Sequence, residues 1–508
     1  MLSGRKTLRS LVALAALPLM AGCVVGPHYR RPPLPPARSY SPNPLPPSTA
    51  SVPGTAIGAA QSFSTARAIC AQWWTLFRSP ALNQLIRRSL AANPTIDAAV
   101  AALKEAQENV YAQRGYFFPT VQASYQAERI KVSGNTASSS APGIQGNGEN
   151  IVPLGPAEPV TYNFHTAQVT VGFAPDVFGA NRRQVQSLEA QAAAARDQLD
   201  AAYVTLASNV VAAALQEAST RAQIAAVRAI VRANERSLRI VRSQLRLGYA
   251  TRLDVAQQRL SLAEAQALLP PLTRQLAQTR DLIRVLAGNA PDHDVAETFT
   301  LQALHLPERL PLSLPSQLIE QRPDVLAAEE QVRAASAQVG VAVANRLPQF
   351  SLTAALGGEA TDLTQMFWGS GTFWDVIGSA SQPLFDAGTL KHRQRAAEQA
   401  LAQAAAQYRS TVLIAFQNVA DTLHALDSDA DALRSAVAVE NAAQVALNVS
   451  RQQYRAGYAG YLSVTTAQAA YQQAVIARVQ AQAARLGDTA ALFQALGGGW
   501  WTPGFPGD

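Results

Sequence analysis

Charge is scarce in this 508-residue chain. Asp, Glu, Lys and Arg make up 15% of it, against roughly 25% in a typical soluble protein. Cysteine is scarcer still. Two residues, Cys23 and Cys70, cannot build a disulfide framework or a Cys-rich zinc site. Past residue 22 no apolar run approaches the ~18 residues that a membrane-spanning helix needs. The six histidines are scattered without ligand spacing, so no metal site is expected. HExxH, GxSxG, a P-loop and GxGxxG in a strand–helix context are all missing, which argues against an enzyme and against a cofactor. What is there is apolar but small: 48% hydrophobic residues, much of that share alanine. Glycine and proline are ordinary at 30 each, which excludes a collagen-like chain, and the low charge excludes a highly charged disordered one.

The N-terminus reads as an address. Arg5, Lys6 and Arg9 precede an apolar stretch from Leu11 to Met20. Residues 1–22 therefore form a secretory signal. Its end, Met20-Ala21-Gly22-Cys23, resembles a bacterial lipobox, whose cysteine becomes the lipidated first residue. That resemblance implies a lipid on Cys23, and Val24 in place of Asp implies the outer membrane. Removing the signal leaves 39 cations against 35 anions, a balance of +4 that gives no reason to expect nucleic acid. Cys70 then lacks a partner and is expected to be a small buried residue. Ten prolines fall between Pro27 and Pro53. Residues 23–60 are expected to form an extended, lipid-anchored tether, with order beginning near Trp73-Trp74.

The decisive feature is an internal repeat. Asn93–Val121 matches Arg322–Phe350 without a gap at a shift of 229 residues. Gly179–Gly288 matches Gly388–Gly497 at a shift of 209. Between Arg242 and Val255 eight of 14 positions are identical, where chance gives roughly one. The shifts differ by 20 residues, which fits a long polar loop, Ser133–Gly155, in the first copy. The expected layout is a first repeat over 61–288, a connector over 289–320, a second repeat over 321–497 and a tail over 498–508.

Each copy reads as helix, two strands, very long helix, helix. The first helix runs from about Pro94 to Arg114, with proline at its first turn. Strands are expected near 119–130 and 161–178, and again near 349–358 and 373–386. In the first of them Val, Ala and Tyr face one way and Gln and Ser the other. Phe164 and Val169 fall in opposite phase, which predicts a bulge near His165–Ala167. After Gly179 and Gly388 come helical stretches of nearly 70 residues without proline, or about 100 Å. Leu188, Ala192, Ala195, Leu199, Ala202 and Leu206 follow coiled-coil spacing and predict a close-packed seam. The chain turns at Gly248-Tyr249-Ala250 and Gly457-Tyr458-Ala459. The first return helix is interrupted by Pro270-Pro271.

Four amphipathic strands cannot close a barrel, and open edges do not survive in lipid. Strands from several chains must therefore share one barrel. At this point the residues resemble a known family, the TolC-like outer-membrane factors, in their lipidated NodT/OprM branch. The motifs are Cys23-Val24-Val25-Gly26-Pro27-His28-Tyr29, Trp73-Trp74-Thr75-Leu76-Phe77, Arg322-Pro323-Asp324-Val325 and Gln382-Pro383-Leu384-Phe385-Asp386-Ala387-Gly388. The fold implied is mainly α with a small β part: a homotrimer whose twelve-stranded outer-membrane β-barrel is continued by a periplasmic α-helical coiled-coil tunnel.

The resemblance implies an exit duct of a tripartite efflux pump. Its partners would be a periplasmic adaptor (membrane fusion) protein, an inner-membrane transporter of resistance-nodulation-division or major-facilitator type, and outer-membrane lipid. The tips at Gly248, Tyr249, Gly457 and Tyr458 match the family's adaptor end. Leu462 aligns with an apolar constriction, Asp254 is a candidate for an acidic ring, and Arg252 is a candidate for a pair across the tip. The closest rival is the duct of a type I protein secretion system. A periplasmic coiled-coil lipoprotein or an adaptor would not explain two strand pairs at matching points in two tandem copies.

Overall fold

The computed structural model describes residues 24–33, 39–42, 46–55, 57–64, 69–132 and 159–500. The signal, Cys23, the Ser133–Gly155 loop and the tail beyond Trp500 lie outside the described residues. In chain order the elements are β1 (Ser62–Ser64), α1 (Pro80–Ala92), α2 (Pro94–Gly115), β2 (Thr120–Val132), β3 (Val160–Phe173), α3 (Ala180–Arg246), α4 (Arg252–Ala267), α5 (Leu269–Leu286), β4 (Arg309–Pro311), α6 (Pro315–Gln321), α7 (Pro323–Ala344), β5 (Gln349–Ala360), β6 (Thr372–Ser381), α8 (Thr389–Arg455) and α9 (Tyr461–Ala495). They fall into two compact units. One comprises Met1–Arg30, Gln107–Ala190 and Arg333–Ala402; the other comprises Arg31–Ala106, Gln191–Val332 and Gln403–Asp508.

The first unit holds a four-stranded antiparallel sheet in the order β2-β3-β5-β6. β2 pairs with β3 in one unbroken register, from Thr120 opposite Gly172 to Val132 opposite Val160. The bulge expected near His165–Ala167 is therefore absent. Phe164 lies opposite Glu128, on the face that carries Gln122, Ser124 and Gln126. It is an aromatic residue on the polar face, not the mark of a phase change. The strands that were expected to run to 178 and 386 stop at Phe173 and Ser381. Pro175 and Pro383 follow, and neither has an N–H to donate to a ladder.

The second unit is built on buried aromatics. Trp73, Trp74 and Phe77 are buried, and Trp73 stacks on Phe493 with ring centroids 5.2 Å apart. Ser79 caps α1 by accepting from the Leu82 N–H, and Pro80 occupies the first turn. One face of α1, Leu82, Leu85, Ile86 and Leu90, is buried. α3 and α8 are each 67 residues long. The return from α3 breaks at Leu268, where α5 starts with proline in its first turn. The return from α8 is one 35-residue helix.

Three further expectations need correction. Order does not begin at Trp73. Arg485, with no exposed surface, donates to the carbonyls of Ile57 (3.1 Å) and Ala59 (2.7 Å) and to Thr49 Oγ1 (3.0 Å). Gln61 donates to Thr489 Oγ1 and the Pro307 carbonyl, and β1 pairs in parallel with β4. Described residues of the segment expected to be a loose tether are thus packed down, Thr49, Ile57, Ala59 and Gln61 among them, and the 289–320 connector carries its partner strand. Proline removes donors, not acceptors, so a proline-rich strap still offers carbonyls to a buried guanidinium. Second, Cys70 is exposed. Third, five of the six seam positions on α3 are only half-buried and Leu206 alone is buried; the deeper stripe lies beside them, at Ala190, Ala194 and Ala207.

Candidate functional site

Both long helices end in the same motif. At the first tip the Gly248 N–H donates to the Leu245 carbonyl (3.1 Å) and the Tyr249 N–H to the Gln244 carbonyl (2.8 Å). At the second, Gly457 donates to Tyr454 (3.1 Å) and Tyr458 to Gln453 (2.9 Å). These are paired Schellman closures, with glycine in the left-handed region at φ 81° and 79°. A Cβ at either glycine would meet nothing within 4 Å, so backbone conformation alone selects the residue. Tyr249 and Tyr458, the next residues, are 80% and 87% exposed. Within the chain they do not pack on the turns.

The tips differ on the outgoing side. Thr251 and Asp254 form a capping box on α4: Asp254 N–H donates to Thr251 Oγ1 (3.2 Å), and Thr251 N–H and hydroxyl donate to the Asp254 carboxylate (2.7 and 2.8 Å). The counterpart residues are Gly460 and Ser463. Gly460 gives α9 no side-chain cap, and Ser463 donates to the Gly460 carbonyl (2.8 Å). Asp254 is thus engaged by its own helix start. Arg252 is exposed and forms no ion pair among the described residues. Leu462 is 61% exposed.

Behind the turns the two hairpins share an apolar cluster: Leu238 and Val241 of α3, Val255 of α4, Leu447 of α8, and Tyr461 and Val464 of α9. Further along lies a buried polar layer. Asn234 accepts from Gln468 and from Gln258 (3.3 Å) and donates to the Ser261 carbonyl (3.2 Å). Tyr461 donates to Gln258 Oε1 at 2.5 Å. Burial, with Tyr454 beside it and Asp254 near, pushes the Tyr461 phenol up to about 12, while Arg451 pulls it down. Sequence reading missed this layer because it does not repeat. Asn234 and Gln258 correspond to Ala443 and Ala467 in the second copy. That break in an otherwise matched repeat was the available signal.

The sheet has two chemically distinct faces. One carries Val121, Tyr125, Val169, Leu356, Trp374 and Val376, all 45–75% exposed. The other carries Gln122, Ser124, Thr170, Gln168, Ser351 and Ser379, the two serines hydrogen-bonded at 2.7 Å. An exposed apolar face of this extent, backed by a polar one, is what a strand presents between lipid and an aqueous lumen.

A family model described as outer membrane efflux protein matches residues 85–289 and 314–498, more than half of the chain. The chain belongs to that family. Its two matched segments flank β4. Among curated relatives, this family member is 27% identical over 494 residues to the probable efflux pump outer membrane protein TtgC of Pseudomonas putida, covering 97% of this chain and 96% of the relative. It is 26% identical over 499 residues to the probable outer membrane lipoprotein SilC of Salmonella typhimurium, covering 96% and 98%. It superposes on the outer-membrane channel OprN with a TM-score of 0.81 at 26% identity, over 94% of this chain and all of that one. The fold is that of the outer-membrane channels, barrel strands together with tunnel helices. The molecule is an outer-membrane efflux channel of a family of channel proteins.

Proposed function

We propose that three copies of this chain assemble into the exit duct of a tripartite pump. The observation that carries this is the open four-stranded sheet with one apolar face, in a chain of the efflux family. Three such sheets supply enough strands to close a spanning barrel, and one does not. In this reading a periplasmic adaptor docks on the tips through Tyr249 and Tyr458, held out by Gly248 and Gly457. An inner-membrane transporter of resistance-nodulation-division or major-facilitator type supplies the energy. The duct narrows at Leu462, with Asp254 and Arg252 beside it, and Cys23 carries lipid. The working unit is the tandem pair of repeats, 61–288 and 321–497. The relative TtgC is a probable efflux pump protein, which favours export of small toxic compounds over protein secretion. The test is deletion of the gene and a screen against a broad panel of toxic compounds, with the trimer sought as a heat-modifiable species in outer-membrane fractions. Unchanged sensitivity to every compound, or a soluble monomer, would overturn the reading.

A further inference from the structure

The chain has built a place for the motif Val24-Val25-Gly26-Pro27-His28-Tyr29. The Val25 N–H donates to the Phe178 carbonyl (3.3 Å). Arg183, 6% exposed, donates through Nε to the Val25 carbonyl (3.0 Å) and through Nη2 to the Gly26 carbonyl (3.3 Å). Val24 lies on Gly179, where a Cβ would come within 3.1 Å of the Val24 Cα. Gly26, at φ 96°, is pressed against Gly340 so closely that a Cβ on it would collide with the Gly340 backbone. Gly340 in turn makes room for Arg183: a Cβ there would sit 2.8 Å from the Arg183 side chain. The Arg333 guanidinium covers the Tyr29 ring at 4.9 Å. Two glycines, one buried arginine and one cation–π contact thus act on six consecutive residues.

We propose that Val24–Tyr29 is a docking peptide and that Phe178, Gly179, Arg183 and Gly340 form its socket, fixing the lipidated residue rather than tethering it. Cys23 is one residue, about 3.8 Å of chain, from the seated Val24. The socket lies where β3 leads into α3, so the acyl chains are held at one height beside the strands that meet lipid. From the peptide Arg183 reads backbone carbonyls, while its Nη1 donates to Gln186 Oε1. Side-chain identity therefore matters little in the peptide except at Gly26, where conformation and space both exclude a Cβ, and at Tyr29. This inference rests on the reading of Cys23 as the lipid site.

The test uses full-length protein expressed in an outer-membrane host. Gly26→Ala alters only the peptide and leaves the barrel and tunnel sequences untouched; Gly54→Ala, at φ 81° with nothing within 4 Å, is the control for backbone strain alone. Hydrogen exchange is followed over residues 24–31, together with incorporation of labelled palmitate and the amount of heat-stable oligomer. For Gly26→Ala and for Arg183→Ala the expected result is exchange faster by about ten-fold or more in that segment, palmitate retained, and several-fold less oligomer. Gly54→Ala should leave all three unchanged. Exchange that is already fast in the parent protein, or that Gly26→Ala does not change, would overturn the socket. Loss of palmitate label in the parent would instead overturn the lipid reading of Cys23, and the exchange result would still report on the socket.

Discussion

The two copies of the repeat bury different chemistry at matching points. In the first, Glu217 of α3 is fully buried and paired: Arg221 lies 2.7 Å away and Arg280 of α5 3.5 Å away. Arg280 also donates to the Val295 and Glu297 carbonyls, 2.5 and 2.6 Å, and to Asp294 at 2.6 Å. In the second copy these positions are Leu426, Ala430 and Thr489, so the charge cluster is gone. Conversely, Asp429 of the second copy is a part-buried acid with Asp488 beside it and Arg485 near, where the first copy has Thr220, Thr279 and Leu276. Thr220 and Thr279 bond only to carbonyls of their own helices. One ancestral helix pair has thus become a compensated ion cluster in one copy and two neighbouring acids in the other. The duplication preserved the turns and let the interior diverge.

The sharpest way to break the comparison is Arg280→Met. It leaves Glu217 buried with one partner and frees the Val295–Glu297 segment. A loss of about 3–5 kcal/mol is expected, the usual result of removing one side of a buried pair. Thr489→Arg in the second copy should have no corresponding benefit, because Leu426 offers no carboxylate. Thermal unfolding of detergent-solubilised protein measures both.

The next effect is on pH. Burial, the hydrogen bond to Asp488 and the charge of Asp488 hold the Asp429 carboxyl up at about 7, with Arg485 opposing them. An unfolded aspartate titrates near 4. The folded chain therefore binds this proton more tightly than the unfolded one. The stability it confers is whole below about pH 4 and is lost as pH rises to about 7. Asp429→Asn should reduce the fall in melting temperature over that window, while Asp197, also raised to about 7 by burial, keeps part of the slope. An unchanged slope would mean that Asp429 does not hold its proton in the folded chain.

Smaller effects should come from the tips. Gly248→Ala and Gly457→Ala should each cost about 1–2 kcal/mol, and by equal amounts, since both glycines sit near φ 80° in open space. Unequal losses would show that one tip carries more of the resting structure. The smallest change should come from moving the capping box. Thr251→Ala should loosen the first tip by about 1 kcal/mol, and Gly460→Thr with Ser463→Asp should tighten the second by a few tenths. Hydrogen exchange at the two turns reads each.

Much of this was legible in the sequence, for identifiable reasons. Gly248-Tyr249 and Gly457-Tyr458 announce turns because glycine alone is at ease in the left-handed region. The two 67-residue helices follow from long proline-free, alanine-rich stretches. Strand existence followed from alternation at Val121–Ala127. The failures share a cause as well. Arg485, Asn234 and Gln468 are polar residues on helices, and nothing local distinguishes a solvated arginine from one that grips the N-terminal strap. Cys70 was placed inside on composition alone. The seam was set one step aside, because alanine spacing fits both Ala192-Ala195 and Ala190-Ala194. Partners distant in sequence decide such cases.

The sheet ends at β2 on one side and β6 on the other, with 13 and 10 residues of backbone respectively. Those margins make the newly exported chain a hazard to itself. Until neighbouring strands arrive, each presents an unmatched row of amides next to Val121 and Trp374, the combination that nucleates irregular aggregation. Productive folding then competes with misassembly in a race whose order in chain concentration exceeds one. Slow secretion would starve the race of neighbours and fast secretion would crowd it with wrong ones. The expression level of this gene should therefore have an optimum, set by the two free margins and not by the amount of efflux the cell requires.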